Sequence, residues 1–303
     1  MKTDSKARAA AGKPEHLGDL KDALGPNLLA PGLYVTSTPI GNARDITLRA
    51  LDVLKGVDLI VAEDTRVTAK LLAIYGISKP LTAYNDHNAA RERPRLLGRL
   101  RDGARIALVS DAGTPLVSDP GFKLVREAIQ ERLPVHAVPG ASAALTGLVL
   151  SGLPSDRFLF AGFLPSKAGE RQSALEELKS IRATLIFFES GPRLAETLKH
   201  MSEILGMRSA AVARELTKLH EELRRGTLAE LAQSYENAPT PKGEVTLLVS
   251  PPHEAEADMS AVDAALDAAL EFMPLKPASE MIANLTGVSR KDVYARGLEK
   301  KNG

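Results

Sequence analysis

At 303 residues, the chain is longer than a typical single domain, and this length predicts two domains with an appendage. Its hydrophobic content of 44% and charged content of 25% are ordinary for a globular protein, and its net charge is only +1. The chain has no cysteine, which excludes disulfides, thiolate zinc sites and cysteine nucleophiles. The segment 1–32 lacks the apolar stretch of a secretory signal, and no apolar run reaches the roughly 18 residues of a membrane helix. We therefore expect a cytoplasmic protein without a membrane partner.

Residues 1–31 mix charged residues with glycine and proline, and they predict a mobile tail ahead of the first strand. Strands and helices then alternate over residues 32–150. The predicted strands are Leu33–Thr38, Asp58–Ala62, Leu81–Tyr84, Arg105–Val109 and Val135–Val138, and the predicted helices are Asp45–Lys55, Thr65–Tyr75, Asn88–Arg101, Phe122–Arg132 and Ala141–Leu150. This alternation is typical of an α/β domain with a mainly parallel sheet and helices on both faces.

A second α/β domain is predicted for residues 151–252, with the segment 151–156 as the linker before it. Its predicted strands are Phe158–Phe163, Thr184–Phe188, Ala210–Arg214 and Val245–Val249, and its predicted helices lie at Glu170–Ser180 and Leu194–Leu205. Residues 253–303 hold an acidic stretch followed by three short predicted helices, Ala261–Leu270, Ala278–Leu285 and Ser289–Leu298. The turn at Gly287 has a helix-turn-helix spacing.

The most informative segment follows the strand Arg105–Val109. Its residues 110–121 read SDAGTPLVSDPG, and a strand that runs into glycine and proline cannot continue its hydrogen-bond ladder. The backbone must therefore turn at the carboxyl end of a buried strand, which is where open α/β sheets bind ligands. Asp119 and Pro120 predict the N-cap and first position of the next helix. The segment is longer than a structural turn requires, and we interpret it as a binding loop.

Three other strand ends carry unusual residues, namely Thr38–Asn42, Glu63–Arg66 and Pro139–Ala143. In a parallel sheet these ends lie along one edge, so the loops are expected to converge on one crevice. The phosphate-binding P-loop, the Gly-x-Gly-x-x-Gly fingerprint and paired metal-ligand histidines are all absent from the sequence. Gly140–Ala144 approaches the nucleophile elbow of serine hydrolases but lacks its second glycine, so it does not support that class.

Charged segments have both a structural and a functional interpretation. Glu63–Arg66 and Arg214–Glu222 suit either helix starts at the surface or a cleft with a carboxylate base and phosphate-binding arginines. Arg91–Arg105 contains six arginines and two acidic residues, and Arg290–Gly303 is also basic, whereas Glu254–Glu271 is acidic. The basic clusters suit a polyanion, and a solvated helix face is the alternative.

Seven motifs occur in an order that resembles one known family. They are YVTSTPIGN (34–42), AEDTR (62–66), SDAGTPLVSDPG (110–121), VPGASA (138–143), FFESGPR (187–193), RELTKLHEE (214–222) and KGE (242–244). The chain resembles the bacterial 16S ribosomal RNA (cytidine-2′-O)-methyltransferases, which belong to the tetrapyrrole-methylase superfamily. The resemblance runs from about residue 31 to the C-terminus, and the chain departs from it in two places. Asn85 replaces the first histidine of a family His-acid-His-Asn motif, and Gly191-Pro192 replaces the Pro-His of the family sequence FESPHR.

The resemblance implies a homodimer that holds S-adenosylmethionine between two α/β domains, without a metal, and that acts on 16S rRNA in the small ribosomal subunit. It also implies a set of cofactor-binding residues, which carry over as Pro39, Ile40, Gly113, Thr114, Pro115, Val117, Ser118, Ser142, Ala143, Phe163, Leu164, Ala213, Gly243 and Glu244. The ribose hydroxyl is a poor nucleophile, so a positioned group is expected to take or hold its proton. The candidates for this chemistry are Glu63, Asp64, Lys218 and Glu222, with Arg66 and Arg214 to orient phosphate.

Two other functions stay open at this point. A tetrapyrrole methyltransferase of the precorrin type has little use for the basic clusters, and a non-catalytic ribosome-assembly factor that binds RNA has no use for a cofactor crevice. Simple positioning, with loss of the proton to water, is the alternative to a general base. The C-terminal helices are expected either to dock on rRNA or to pack against the second domain and support the dimer.

Overall fold

The structure is a computed structural model that describes residues 29–117, 121–252, 259–286 and 288–302. Most of the predicted tail, the predicted helix cap at Asp119-Pro120 and the turn at Gly287 lie outside the described residues. The chain divides into two compact units, Met1–Ser142 and Ala143–Gly303. No helix in the described part of the chain has the length and apolar character needed to cross a membrane.

The first unit contains a five-stranded parallel sheet, which confirms the prediction for this part of the chain. The strands are β1 (Gly32–Thr36), β2 (Leu59–Ala62), β3 (Leu81–Ala83), β4 (Arg105–Val109) and β5 (Val135–Val138), in the order β3-β2-β4-β1-β5. The helices are α1 (Leu48–Gly56), α2 (Thr65–Ile74), α3 (Ala89–Arg101) and α4 (Phe122–Gln130), and a short 3-10 turn spans Ala43–Asp45. Because β4 is the central strand, its loop lies between those of β2 and β1.

Alternation along the strands places apolar side chains on both faces of this sheet. On one face, Ile60 and Val109 pack with α1 and α2 through residues such as Leu54 and Leu72. On the other face, Val61 and Leu108 pack with α3 and α4 through residues that include Leu97, Leu100 and Leu124. Both faces are therefore covered by helices, and the strand ends are left for the loops.

The second unit contains a mixed sheet. Its strands are β6 (Phe158–Phe163), β7 (Thr184–Ser190), β8 (Ser209–Arg214), β9 (Glu222–Thr227) and β10 (Glu244–Val249), in the order β6-β7-β10-β8-β9. Only the β6–β7 pair is parallel. The helices are α5 (Ala143–Ser151), α6 (Ala168–Leu178), α7 (Leu194–Leu205) and α8 (Leu228–Glu236). The sequence analysis predicts neither β9 nor α8. For β9 the reason is that it is a polar edge strand without apolar alternation.

Helix α5 explains why the two units divide eight residues before the predicted boundary at residue 150. It packs against β8 and β10 of the second sheet, so it belongs to the second unit. Gly147 makes this packing close, since a Cβ atom there would lie 3.1 Å from Cγ2 of Thr246. The first helix of the second unit thus lies within the predicted first domain.

The three predicted C-terminal helices are confirmed as α9 (Met259–Leu270), α10 (Leu275–Thr286) and α11 (Arg290–Asn302). They pack around an apolar cluster of their own, in which Leu266, Ile282 and Val293 are almost fully buried. Gly297 allows α11 to approach closely, because a Cβ atom at this position would lie 2.2 Å from Cδ1 of Leu275.

Candidate active site

The loops after β1, β4 and β5 form one hydrogen-bonded group in the first unit. Thr38 and Gly113 pair through both backbone bonds, with N···O distances of 2.8 and 3.1 Å. The hydroxyls of Ser37 and Thr114 lie 3.1 Å apart, and Thr114 also donates to the carbonyl of Ala141 at 3.3 Å. The structure therefore brings these three strand ends together, as the parallel sheet predicts.

The same loops have a tight, partly apolar interior. Pro39, Ile40 and Pro115 are buried, while Thr114 and Ser142 are half-buried and Val117 is exposed. Gly113 has a φ of +76°, a region that favours glycine, and a Cβ atom there would lie 3.3 Å from Cγ2 of Ile40. Ser118 lies outside the described residues.

The loop after β2 places Asp64 at the N-terminus of α2, which confirms the capping interpretation. One Asp64 oxygen accepts from the Arg66 amide at 2.8 Å, and the other accepts from the Arg66 guanidinium at 2.6 Å. The Arg66 hydrogen bonds lower the pKa of Asp64 to about 2. Asp64 is therefore a carboxylate with low affinity for a proton. The neighbouring Glu63 is half-buried.

Asp111 is a candidate that sequence reasoning missed. It lies two residues after the end of β4, and its Oδ1 accepts a hydrogen bond from the Asp64 amide at 3.0 Å. Desolvation and the nearby Asp64 charge raise its pKa, in contrast to that of Asp64. The available signal was an acidic residue two positions after a buried strand.

In the second unit, Glu222 lies between two arginines. Its carboxylate accepts from Nε of Arg214 at 2.8 Å and from Nε of Arg224 at 2.5 Å. Burial alone raises the pKa of Glu222, but the two arginines outweigh burial and the pKa is lowered. This environment favours an ionised, structurally bound carboxylate.

Lys218 is held by two carboxylates, with Nζ 2.8 Å from Oε1 of Glu215 and 2.9 Å from Oε2 of Glu244. Burial lowers the pKa of Lys218, but these hydrogen bonds outweigh burial and the pKa is raised. The arrangement favours Lys218 as a fixed positive charge rather than as a proton acceptor. Gly243 has a φ of +93° beside this group, and Gly243 and Glu244 are exposed.

The FFESGPR motif holds the end of β6 in place. The Arg193 guanidinium donates to the carbonyls of Leu164 and Pro165 at 2.8 and 3.1 Å. Glu189 is 3% exposed and accepts from the Thr197 hydroxyl at 2.7 Å. This motif therefore has a structural role that does not require the histidine of the family motif.

Other second-unit candidates differ in their accessibility. Phe163 is 57% exposed and Leu164 is buried, Ala143 is half-buried, and Ala213 is fully buried within β8.

In the first unit, the departure at Asn85 leaves a buried Oδ1 without a hydrogen-bond partner among the described residues.

Most arginines and lysines of the basic clusters that the structure describes form ion pairs, both with Glu92 of the same helix and with carboxylates of other elements. Within Arg91–Arg105, five arginines form ion pairs with Asp58, Glu92, Glu127 and Glu131. At the C-terminus, Arg296 binds Asp263 at 2.6 Å and Lys300 binds Asp267 at 2.5 Å, so α11 is joined to the acidic helix α9. Within the described part of the chain, no group of three or more His, Asp or Glu residues has the arrangement of a metal site.

Comparison with known proteins first defines the class. The family model described as Tetrapyrrole (Corrin/Porphyrin) Methylases matches residues 32–232. One similar solved structure is that of uroporphyrin-III C-methyltransferase from Thermus thermophilus, complexed with S-adenyl homocysteine. The match covers 72% of this chain and 96% of that chain, with a TM-score of 0.51 and 19% sequence identity. The fold is therefore that of the tetrapyrrole methylases.

Two curated relatives give the narrower assignment. Proteins named ribosomal RNA small subunit methyltransferase I from Mesorhizobium japonicum and Erythrobacter litoralis are 52% and 53% identical over 90% of this chain, and the matches cover 94% and 96% of those proteins. The model described as RsmI C-terminal HTH domain also matches residues 255–301. The chain belongs to the ribosomal RNA small subunit methyltransferase I family.

Proposed function

We propose that the protein transfers a methyl group from S-adenosylmethionine to the 2′-oxygen of a cytidine in the 16S rRNA of the small ribosomal subunit. The observation that carries this proposal is family membership along both parts of the chain. Relatives named ribosomal RNA small subunit methyltransferase I align over 90% of the chain, and the C-terminal match at residues 255–301 lies beyond the methylase match. A tetrapyrrole substrate does not account for that second match.

The loops of the first unit fit the proposed cofactor. Gly113 has no side chain, Ile40 and Pro115 supply buried apolar surface, and the hydrogen-bonded Ser37 and Thr114 hydroxyls place polar groups in the same loops. Such a mixture suits a ligand with an adenine ring and polar ribose and amino acid parts. S-adenosylmethionine supplies a methyl group that its sulfonium already activates.

The protein must then orient the ribose hydroxyl and manage its proton. Among the candidates, Asp64 has a pKa of about 2, Glu222 is bound by arginines and Lys218 is protonated, so each is a poor proton acceptor. Asp111, with its raised pKa, has the better properties. Arg66 has a side chain that is 87% exposed and suits contact with an RNA phosphate.

The proposed assembly is a cytoplasmic homodimer. Helix α5 supports it, because this helix has no charged residue and its Val149 is 82% exposed. A helix that is apolar on more than its packed face is typical of an additional interface.

The test is methyl transfer from labelled S-adenosylmethionine to small ribosomal subunits and, separately, to a precorrin-type tetrapyrrole. We expect label in the rRNA, recovered after nuclease digestion as 2′-O-methylcytidine. Label in the tetrapyrrole alone would overturn the proposal. Binding to subunits without transfer to either substrate would instead support a non-catalytic assembly factor.

A further inference from the structure

The loop after β8 contains backbone strain at two residues. Glu215 and Thr217 have φ values of +50° and +65°, in the left-handed region that ordinary L-residues rarely adopt. Two such residues within three positions are uncommon, and strain of this kind concentrates at functional sites. Glu215 was not among the candidates from the sequence.

The Glu215 side chain extends the pairing between β8 and β10. Its backbone amide donates to the Glu244 carbonyl at 3.0 Å, and the Glu244 amide donates to Oε1 of Glu215 at 3.1 Å. The carboxylate thus takes the place of a backbone carbonyl at the start of β10. The left-handed backbone at Glu215 accompanies this reversal of its side chain.

Gly243 is required by the same side chain. A Cβ atom at Gly243 would lie 2.3 Å from Oε1 and 2.7 Å from Cγ of Glu215, so the carboxylate lies directly over this glycine. Any larger residue at 243 displaces Glu215. The KGE motif and the RELTK motif are therefore coupled by one contact, although 28 positions separate Gly243 from Glu215 in the numbering.

Lys218 completes the group. Oε1 of Glu215 accepts from Lys218 Nζ at 2.8 Å, while the same oxygen accepts the Glu244 amide. Glu215 is 20% exposed at its side chain and Lys218 is 29% exposed, whereas Glu244 is 74% exposed. Glu215 is thus the most enclosed member, and one of its atoms links the lysine to the start of β10.

We propose that Glu215 is a positioning residue that holds the Gly243–Glu244 turn for the cofactor and keeps Lys218 in place as a fixed positive charge that orients the reacting ribose hydroxyl. This inference rests on the proposed function, since it assumes that residues 243–244 contact S-adenosylmethionine. In this proposal Glu215 makes no direct contact with the cofactor or the RNA. It acts through the residues that it fixes.

Two substitutions separate the two roles. Glu215→Gln keeps a carbonyl oxygen for the Glu244 amide but removes the charge that holds Lys218, so cofactor affinity should stay within about threefold while kcat falls about tenfold or more. Glu215→Ala removes both interactions, and the cofactor Kd should also rise by about tenfold to a hundredfold. Gly243→Ala should reproduce the effect of Glu215→Ala on Kd, because its Cβ atom displaces the carboxylate.

Glu221→Gln is the matched control, since Glu221 is an exposed carboxylate in the same loop. In the described hydrogen bonds, its side chain accepts only from the Thr217 amide, and glutamine keeps an oxygen for that bond. The measurements are calorimetric cofactor affinity, single-turnover methyl transfer to small subunits and thermal unfolding. A merely structural role lowers the melting temperature without the split between Kd and kcat. That result, or normal Kd and kcat in folded Glu215→Ala, would overturn the proposal.

Failure of the proposed function gives a different pattern. In that case the wild-type protein itself does not methylate small subunits, so the variants have no wild-type turnover to be compared with. A wild type that methylates subunits together with unaffected Glu215 variants refutes only the positioning role. The two proposals are therefore tested separately.

Discussion

Replacing Gly113 with valine tests whether the loop after β4 binds the cofactor. The backbone φ of +76° costs an L-residue about 1–2 kcal/mol, which is small against the roughly 5–15 kcal/mol that stabilises a folded domain. The variant should therefore fold. Its Cβ atom meets Ile40 at 3.3 Å and the Ala141 carbonyl at 3.7 Å, so the two γ-carbons of valine must enter the remaining space between the loops.

The expected effect on binding follows from this crowding. Overpacking a fitted site costs about 1–3 kcal/mol, which corresponds to about fivefold to a hundredfold or more in affinity at 1.4 kcal/mol per factor of ten. Calorimetric titration with S-adenosylmethionine measures it directly. Methyl transfer to small subunits should fall in parallel when the cofactor is below saturation.

Gly103→Val is the matched control. Gly103 has a φ of +85° in the turn before β4, and a Cβ atom there meets nothing within 4 Å. The two variants share the backbone strain and differ in their surroundings. Equal cofactor affinity in both folded proteins would refute the assignment of the Gly113 loop to cofactor binding.

Three further predictions concern stability and RNA binding. Gly191→Ala should destabilise the protein by about 3 kcal/mol or more in chemical denaturation, because its Cβ atom would lie 1.8 Å from the backbone oxygen of Pro241. The arginine partner of Asp58 lowers its pKa from 3.8 to about 2, so this carboxylate stabilises the fold above about pH 4 and the contribution is lost as pH falls toward 2. Asp58→Asn should remove that part of the acid transition, at a cost below about 1 kcal/mol at neutral pH because the pair is partly exposed. If α11 docks on rRNA, Lys291→Glu should weaken subunit binding. The slope of log affinity against log salt concentration should then fall by about 0.7–0.9 for each phosphate group that the variant no longer binds. Arg296→Ala should instead mainly lower the melting temperature, since Arg296 is bound to α9.

Each of these has a result that contradicts it. Gly169→Ala, in α6 with nothing near its added methyl, should retain full stability, and an equal loss there would show that the Gly191 contact is not the cause. An unchanged acid transition in Asp58→Asn removes the linkage argument. Loss of subunit binding in Arg296→Ala, with the C-terminal helices still folded, would restore the expectation that the paired cations also hold RNA.

The parts of the fold that the sequence predicts well are those with dense apolar runs. The bounds of β4, β5, β6 and α7 agree with prediction, because mostly apolar strand sequences and a strongly one-sided helix leave clear patterns. The edge strand β9 was missed since its residues, ELRRGT, are mostly polar and pair with β8 without a buried face of their own. Helix α8 had a usable signal, the capping box of Thr227 and Glu230.

The candidate site shows the same division. Loops at adjacent strand ends were predicted to meet because parallel topology alone brings them together. The role of Glu215 depends on the pairing of β8 with β10, which no local pattern contains. The partial neutralisation of the basic helix α3 also depends on tertiary structure, because the carboxylates Glu127 and Glu131 come from α4 and its end. Counting charge along the chain cannot reveal such partners.

The position of β10 has a consequence for how the chain folds during synthesis. The last strand of the second sheet, β10, occupies its centre between β7 and β8. Both of these strands therefore lack β10 as a partner until residue 249 has been made. The first sheet is complete at Val138, and its unit can form while the second waits for about a hundred more residues, or about 5–20 s at typical elongation rates. During that interval β7 and β8 expose unpaired, apolar edges that other chains can join. Truncation before β10, more than any truncation of the C-terminal helices, should therefore produce aggregation.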